Sequence, residues 1–137
     1  MGFQVFGTNP EVMAEAARVV EEAGADLVDI NMGCPVPKIC KTGAGAALLS
    51  DLDTACAVVR AMADAVSIPV TVKMRRGVTP RESRPAETAR RFEAAGAAAI
   101  AFHPRAAAEE YDGRADHAIT AEVVAAVDIP VMASGDI

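Results

Sequence analysis

A repeated joint constrains this chain more than any other feature. Ala65-Val66-Ser67-Ile68-Pro69-Val70 recurs as Ala126-Val127-Asp128-Ile129-Pro130-Val131, and Glu21-Glu22-Ala23-Gly24-Ala25 recurs as Glu93-Ala94-Ala95-Gly96-Ala97. Both echoes fall where an Ala-rich helical pattern gives way to a short β-rich run, so one helix-to-strand unit is used more than once. The β-rich runs are Phe3 to Phe6, Leu27 to Ile30, Val70 to Val72, Ala99 to Phe102 and Val131 to Ala133. Asn9 followed by Pro10 caps a helix that carries Val12, Met13, Ala16, Ala17 and Val20 on one face, runs to Ala23 and stops at Gly24. Asp53 is positioned to cap a second helix, with Ala55, Val58, Val59, Met62 and Val66 on its face. Pro85 to Ala95, closed by Gly96, reads as a third, and Thr120 to Val127 as a short fourth. Thr79 to Arg84 reads as a polar loop.

Nearly continuous apolar strands alternating with helices predict a parallel sheet covered by helices, either doubly wound or a (β/α)8 barrel. No Gly-x-Gly-x-x-Gly follows the first strand, and the polar residues gather just after the strands, where barrel active sites lie. The expected fold is therefore α/β, an incomplete (β/α)8 TIM barrel with about five βα units, occupying residues 1–137 as one domain. The remaining strands would be missing or borrowed from a partner.

The apolar runs fall short of the roughly 20 residues of a membrane span, and Met1 to Pro10 lacks the form of a signal peptide. A soluble cytoplasmic protein is the expectation. Cys34, Cys40 and Cys56 leave an odd thiol after any pairing, and with the two histidines they match no recurring metal-ligand spacing, so reduced thiols and no metal are expected. A net charge of −6 argues against this stretch alone being a nucleic-acid platform; any RNA grip must be local or supplied elsewhere.

Aligning the strand ends collects Gln4, Asn31 with Cys34, Lys73 with Arg75, His103 with Arg105, and Ser134 to Asp136 at one mouth. A cysteine after a strand is more often an inert core residue, but Gly33 and Pro35 mark an exposed turn around Cys34. Cys56, among apolar helix neighbours, keeps the core reading, and Cys40 reads as a loop thiol. Gly43 to Ala47 could bring backbone close to a phosphate, although a close-packing turn is the commoner meaning. Lys73 ends an apolar strand, where an ammonium needs a partner such as an anionic ligand. His103 and His117 each have the plain alternative of a hydrogen-bonded structural histidine, and Glu21, Glu22, Glu109 and Glu110 read as a solvated face.

Asp29-Ile30-Asn31-Met32-Gly33-Cys34-Pro35, followed by Lys38 and the run Gly43 to Leu49, resembles the signature of the tRNA-dihydrouridine synthase family. The similarity continues through Gln4 to Gly7, Pro69 to Gly77, His103-Pro104-Arg105, Tyr111 to Asp116 and Gly135-Asp136-Ile137. It implies an FMN-containing barrel that reduces the C5–C6 double bond of uridines in tRNA, with NADPH recharging the flavin. Hydride would reach uracil C6, and Cys34 matches the residue that donates a proton at C5. That role needs a thiol, which an ordinary cysteine with a pKa of about 8.5 supplies near neutral pH.

By the same resemblance Lys73 lies against the flavin ring and offsets the negative charge of its reduced form, Gln4 bonds the ring's polar edge, and His103 is nearby. Ser134, Gly135 and Asp136 line part of the flavin site, with Ser134 where the family usually has Asn. Asn31 and Arg105 face the substrate uracil, which must leave its stack, and Lys38 holds RNA backbone. Ala106 to Glu109 departs from the family, which usually has Thr and Gln there. The resemblance also implies two strands before Phe3, and after Ile137 a strand completing the phosphate site and a basic helical RNA-binding domain. The competing readings are a related FMN barrel acting on a small molecule and an inactive truncated half-barrel whose sheet edges drive association.

Overall fold

The computed structural model describes residues 1–137. Five parallel strands, β1 (Gly2–Val5), β2 (Leu27–Met32), β3 (Val70–Arg75), β4 (Ala99–His103) and β5 (Val131–Ala133), pair in the order in which they occur in the chain. That order decides between the two architectures. A doubly wound sheet reverses its strand order and sends helices to both faces, whereas right-handed crossovers that never reverse keep every helix on one face. The helices α1 (Pro10–Glu22), α3 (Leu52–Ala65), α4 (Pro85–Ala95) and α5 (His117–Ala126) pack in that sequence, each against the next; α2 (Pro37–Cys40) is a single turn in the loop after β2. The result is a partial TIM barrel, five strands of wall with helices outside.

Alternation along the strands separates core from site. Val28, Ile30 and Met32 of β2 lie beside Val70, Val72 and Met74 of β3, and Ile100 and Phe102 of β4 extend these rows. All face the helices and are buried with Met13, Ala17, Val58, Met62 and Phe92. Fully burying a side chain such as Phe92 or Ile100 contributes about 1.5–3 kcal/mol. The intervening residues form the concave face. Its polar members line up across the strands: Gln4, Asp29 and Thr71 run across one row, Asn31 neighbours Lys73 in the next, and Arg75 neighbours His103 above it, while β4 contributes the small Ala99 and Ala101.

The echoed sequences turn out to be two halves of one device. Glu21, at the end of α1, accepts the backbone N–H groups of Ser67 and Ile68 at 2.8 and 3.3 Å. Glu93, at the end of α4, accepts the N–H of Asp128 with its two carboxylate oxygens at 3.1 and 3.2 Å. Each glutamate therefore satisfies the joint that leads into the next strand. Pro69 and Pro130 complete the joint, their carbonyls accepting the N–H groups of Val28 and Ile100 at 3.0 Å. Glu21 is a structural acceptor rather than one member of a solvated face.

Capping explains the helix boundaries and corrects three of them. Asn9 Oδ1 accepts the N–H groups of Glu11 and Val12, with Pro10 in the first turn as expected. The cap of α3 is Asp51 and not Asp53: Asp51 accepts the Thr54 N–H and hydroxyl at 3.3 and 2.7 Å, which leaves Asp53 in the first turn. Val66 lies beyond the last turn of α3, as its C-cap. Asp116 caps α5 through the Ala118 N–H, so that helix starts at His117, three residues before Thr120. Thr79 caps a short 3-10 turn at Pro80–Glu82 inside the polar loop.

Candidate active site

A cavity of about 440 Å³ opens at the C-terminal ends of β1 to β4, lined among others by Gln4, Asn31, Cys34, Lys73, Arg75 and His103. Cys34 reaches it through a turn held by Asn31, whose Oδ1 accepts the N–H groups of Gly33 and Cys34 at 3.1 and 2.9 Å. The Cys34 carbonyl is held from behind by the Ala46 N–H at 3.0 Å and the Cys40 thiol at 3.3 Å. Gly45 makes this closeness possible. It sits at φ +62°, and a Cβ there would stand 2.8 Å from the Cys34 carbonyl oxygen. Of the two meanings open for Gly43 to Ala47, the structure favours close packing. Arg75 adds a tie from the next strand, its Nε donating to the Gly33 carbonyl at 3.0 Å and its Nη1 to those of Ala106 and Glu110 at 3.3 and 2.6 Å.

Beneath the cavity runs a hydrogen-bonded polar row. Asp29 accepts from Gln4 Nε2 at 2.7 Å and from the Thr71 hydroxyl at 2.6 Å, and Gln4 Oε1 accepts from Asn31 Nδ2 at 3.3 Å. Burial pushes the Asp29 carboxyl above its ordinary range, opposed by these hydrogen bonds and by Lys73. Lys73 donates to Ser134 Oγ at 3.2 Å, and Ser134 donates in turn to the Phe102 carbonyl at 3.2 Å. Burial, and then the Arg75 charge, lower the Lys73 pKa, with Asp29 acting the other way.

His103 is 6% exposed, and burial followed by Arg75, Lys73 and Arg105 brings its pKa down to about 4. It is therefore neutral near pH 7. Arg105 Nη1 lies 3.3 Å from His103 Nε2, and a guanidinium can only donate, so Nε2 accepts and the ring proton sits on Nδ1. A neutral imidazole with Nδ1–H as its remaining polar group is a hydrogen-bond donor.

A family model described as dihydrouridine synthase matches residues 1–137. The chain belongs to the dihydrouridine synthase family. Among its relatives, tRNA-dihydrouridine synthase B of Xanthomonas campestris pv. campestris is 43% identical over 134 residues, and that of Pseudomonas aeruginosa 42% identical over 134 residues. Each alignment covers 98% of this chain and 40% of the relative, so the chain spans about two fifths of their length. A crystal structure from Burkholderia cenocepacia J2315, described as a phosphonomutase, superposes with a TM-score of 0.66 at 22% identity over 98% of this chain and 53% of its own. That likeness concerns the fold alone.

The fold brings six of the residues collected from sequence into one cavity: Gln4, Asn31, Cys34, Lys73, Arg75 and His103. Ser134 lies behind Lys73. Arg105 and Lys38 are not in the lining. Arg105 is 5% exposed, with its guanidinium committed to the carbonyls of Asp112 and Gly113, to His103 and to the Asp136 carboxylate at 2.9 Å. The Ala115 N–H and Arg105 hold the Asp136 carboxyl below its usual range. Gly135 presses on the His103 ring: a Cβ there would stand 2.7 Å from it. Lys38 is exposed on α2. His117 bridges the Thr120 hydroxyl and the Gly135 carbonyl, a structural role.

Three residues given no role from sequence belong here. Arg75 and Tyr111 line the cavity and stack, the guanidinium carbon 5.3 Å from the ring centroid, and Tyr111 is 74% exposed beside His103. Asp29 orients Gln4. Its signal was present, since Asp29 and Asn31 are two apart in an otherwise apolar strand and so share a face. No group of three or more His, Cys, Asp or Glu side chains is arranged to hold a metal, and no helix is long and apolar enough to cross a membrane.

Proposed function

We propose that this chain carries the catalytic wall of a tRNA-dihydrouridine synthase, which reduces the C5–C6 double bond of uridine in tRNA. The observation that carries the reading is that Cys34 shares one cavity with Lys73, Gln4 and His103. A thiol able to donate a proton thus lies among groups suited to an electron-rich heterocycle. FMN fits this donor set: Gln4 would meet its ring's polar edge, Lys73 and the neutral His103 would donate to acceptors on it, and Ser134 to Asp136 would line its flank. When bound, it would supply hydride to uracil C6 and be recharged by NADPH.

The protein's own steps follow from this reading. Asn31, Arg75 and Gly45 hold the Cys34 turn. Cys34 gives its proton to uracil C5 as negative charge on the reduced base collapses, so the base gains two hydrogens and the thiolate recovers its proton from solvent. With FMN bound, Lys73 would offset the negative charge of its reduced ring. Lys38 would contact RNA backbone from the exposed turn after Cys34, and Arg105, matched by resemblance to the uracil side but with its guanidinium fully engaged, would act indirectly by holding His103 and Asp136. Residues 1–137 constitute a partial FMN-binding barrel domain, with further strands and a basic helical RNA-binding domain supplied by the longer protein, and cytoplasm is its proposed compartment.

The test uses the complete protein, reduced anaerobically with NADPH and then offered tRNA lacking dihydrouridine. Bleaching of the flavin bands by NADPH, their return on adding tRNA, and a two-hydrogen mass gain in the RNA are expected. Cys34→Ala should still bind flavin and accept electrons from NADPH while uridine reduction falls by about 10²-fold or more. Full activity in that variant would remove Cys34 as proton donor, and reoxidation by a free pyrimidine but not by tRNA would replace the substrate class.

A further inference from the structure

A second cavity, of about 490 Å³, lies outside the catalytic one, between the loop after β3 and the first turns of α3 and α4. Four of the chain's 13 basic residues line it, Arg76, Arg81, Arg84 and Arg91, in a protein of net charge −6. Its acids are Asp51, Asp53 and Glu82. Two of these are already engaged, Asp51 in capping α3 and Asp53 in an ion pair at 2.7 Å with Arg91 of the same lining, so that pair cancels and Glu82 is the acid that remains beside Arg76, Arg81 and Arg84. The other arginines are not neutralised in this way. Arg76 uses its Nε on the Ser83 hydroxyl at 2.9 Å and leaves both terminal nitrogens without a partner. Arg81 has no side-chain partner, and Arg84 meets only Glu87 at 3.8 Å, beyond hydrogen-bond reach. No side chain caps α4, which begins at the cavity's edge, so its partial positive end adds to the guanidinium field.

We propose that this arginine-lined cavity binds the phosphodiester backbone of the RNA substrate, a contact distinct from the catalytic cavity; the proposal rests on the tRNA reading above. Position supports it. Arg75 lines the catalytic cavity and Arg76 the arginine cavity, so consecutive residues at the end of β3 place the two on the same rim. A strand whose uridine enters the first has its flanking backbone within reach of the second. The lining favours backbone over a dinucleotide: Leu49 and Leu52 are its only apolar members and no aromatic ring is present to stack a base. Charge and hydrogen-bond donors without a stacking surface are what phosphate contacts require.

The experiment compares the complete protein with its Arg81→Ala/Arg84→Ala double variant, both positions being exposed and outside the core. Bound flavin and the rate of its reduction by NADPH should not change. Affinity for tRNA should fall roughly tenfold at low salt, and the slope of log affinity against log salt should shrink by about two, one for each lost phosphate contact. Arg81→Glu/Arg84→Glu should lose more. Unchanged tRNA affinity and salt slope in both variants overturns the site, as does an effect confined to the NADPH KM. A wild-type protein that neither binds nor reduces tRNA fails the functional reading itself. A wild-type enzyme active on tRNA beside indifferent variants fails only this cavity.

Discussion

Asn31 Oδ1 accepts the backbone N–H of Cys34 at 2.9 Å, while the same amide donates through Nδ2 to Gln4. One side chain therefore sets both the turn carrying the proposed proton donor and the orientation of a proposed flavin contact. Asn31→Asp keeps the oxygen acceptor and loses the donation, whereas Asn31→Ala loses both. The alanine variant should lower tRNA-driven flavin reoxidation by about tenfold or more and stability by about 1 kcal/mol, and the aspartate variant should hold the turn with altered flavin affinity. Rapid-mixing absorbance and thermal unfolding measure the two effects. A wild-type reoxidation rate in Asn31→Ala would count against the turn's importance.

His103 supplies a pH prediction. Its folded pKa of about 4 lies below the ordinary histidine value of about 6.5, so between these limits the unfolded chain binds the extra proton. This contribution to stability is complete above about pH 6.5 and is lost as pH falls toward 4, by at most about 3 kcal/mol. Asp29 acts oppositely, because burial raises its folded pKa and protonation then favours the fold. His103→Gln isolates the first effect: its denaturation midpoint should depend less on pH between 4.5 and 6.5, about the window set by those two values. The His103 imidazole signals of the folded wild-type protein should show no midpoint in that interval, and a His103 resonance moving with a midpoint near 6.5 would refute the assignment.

The barrel's rhythm was legible because caps and alternation are local and the joints repeat: Asn9-Pro10 and Gly96 each act within a few residues, and Ile-Pro-Val occurs twice. Which neighbour each joint serves was not legible. Glu21 and Ser67 are 46 residues apart, and only the strand order brings them together. The cavity followed the same division. Cys34, Lys73 and His103 sit at strand ends and could be collected from sequence, but the burial of Arg105 and the stacking of Tyr111 on Arg75 depend on how the loop after β4 folds back. Family resemblance placed Arg105 on the uracil side, whereas its hydrogen bonds join that loop to the start of the next strand's turn.

The joint glutamates can be tested directly. Glu21→Gln retains an oxygen acceptor for Ser67, while Glu21→Ala leaves the Ser67 and Ile68 amides to water. Alanine at Glu21 or at Glu93 should each cost about 1–2 kcal/mol, with glutamine recovering part of the loss. Because the residues lie far apart and serve different joints, the double alanine variant should show additive losses. Chemical denaturation gives these differences, and alanine variants as stable as wild type would mean that the joints are held without the carboxylates.

Two glycines provide a matched pair for the site. Gly24 and Gly135 have nearly the same backbone, φ +90° and +91°. A Cβ on Gly24 meets nothing within 4 Å, whereas one on Gly135 would stand 2.7 Å from the His103 ring and 3.3 Å from Ala115. Gly24→Ala should therefore show the left-handed backbone cost alone, about 1–2 kcal/mol. Gly135→Ala should add the displacement of His103, whose Nε2 is held by Arg105 and cannot yield without breaking that contact. FMN titrations and thermal unfolding of both variants separate the two effects. Equal destabilisation and wild-type FMN affinity in both would show that the His103 position is irrelevant to the flavin site; a loss of affinity in Gly135→Ala alone would tie the end of β5 to that site through the imidazole.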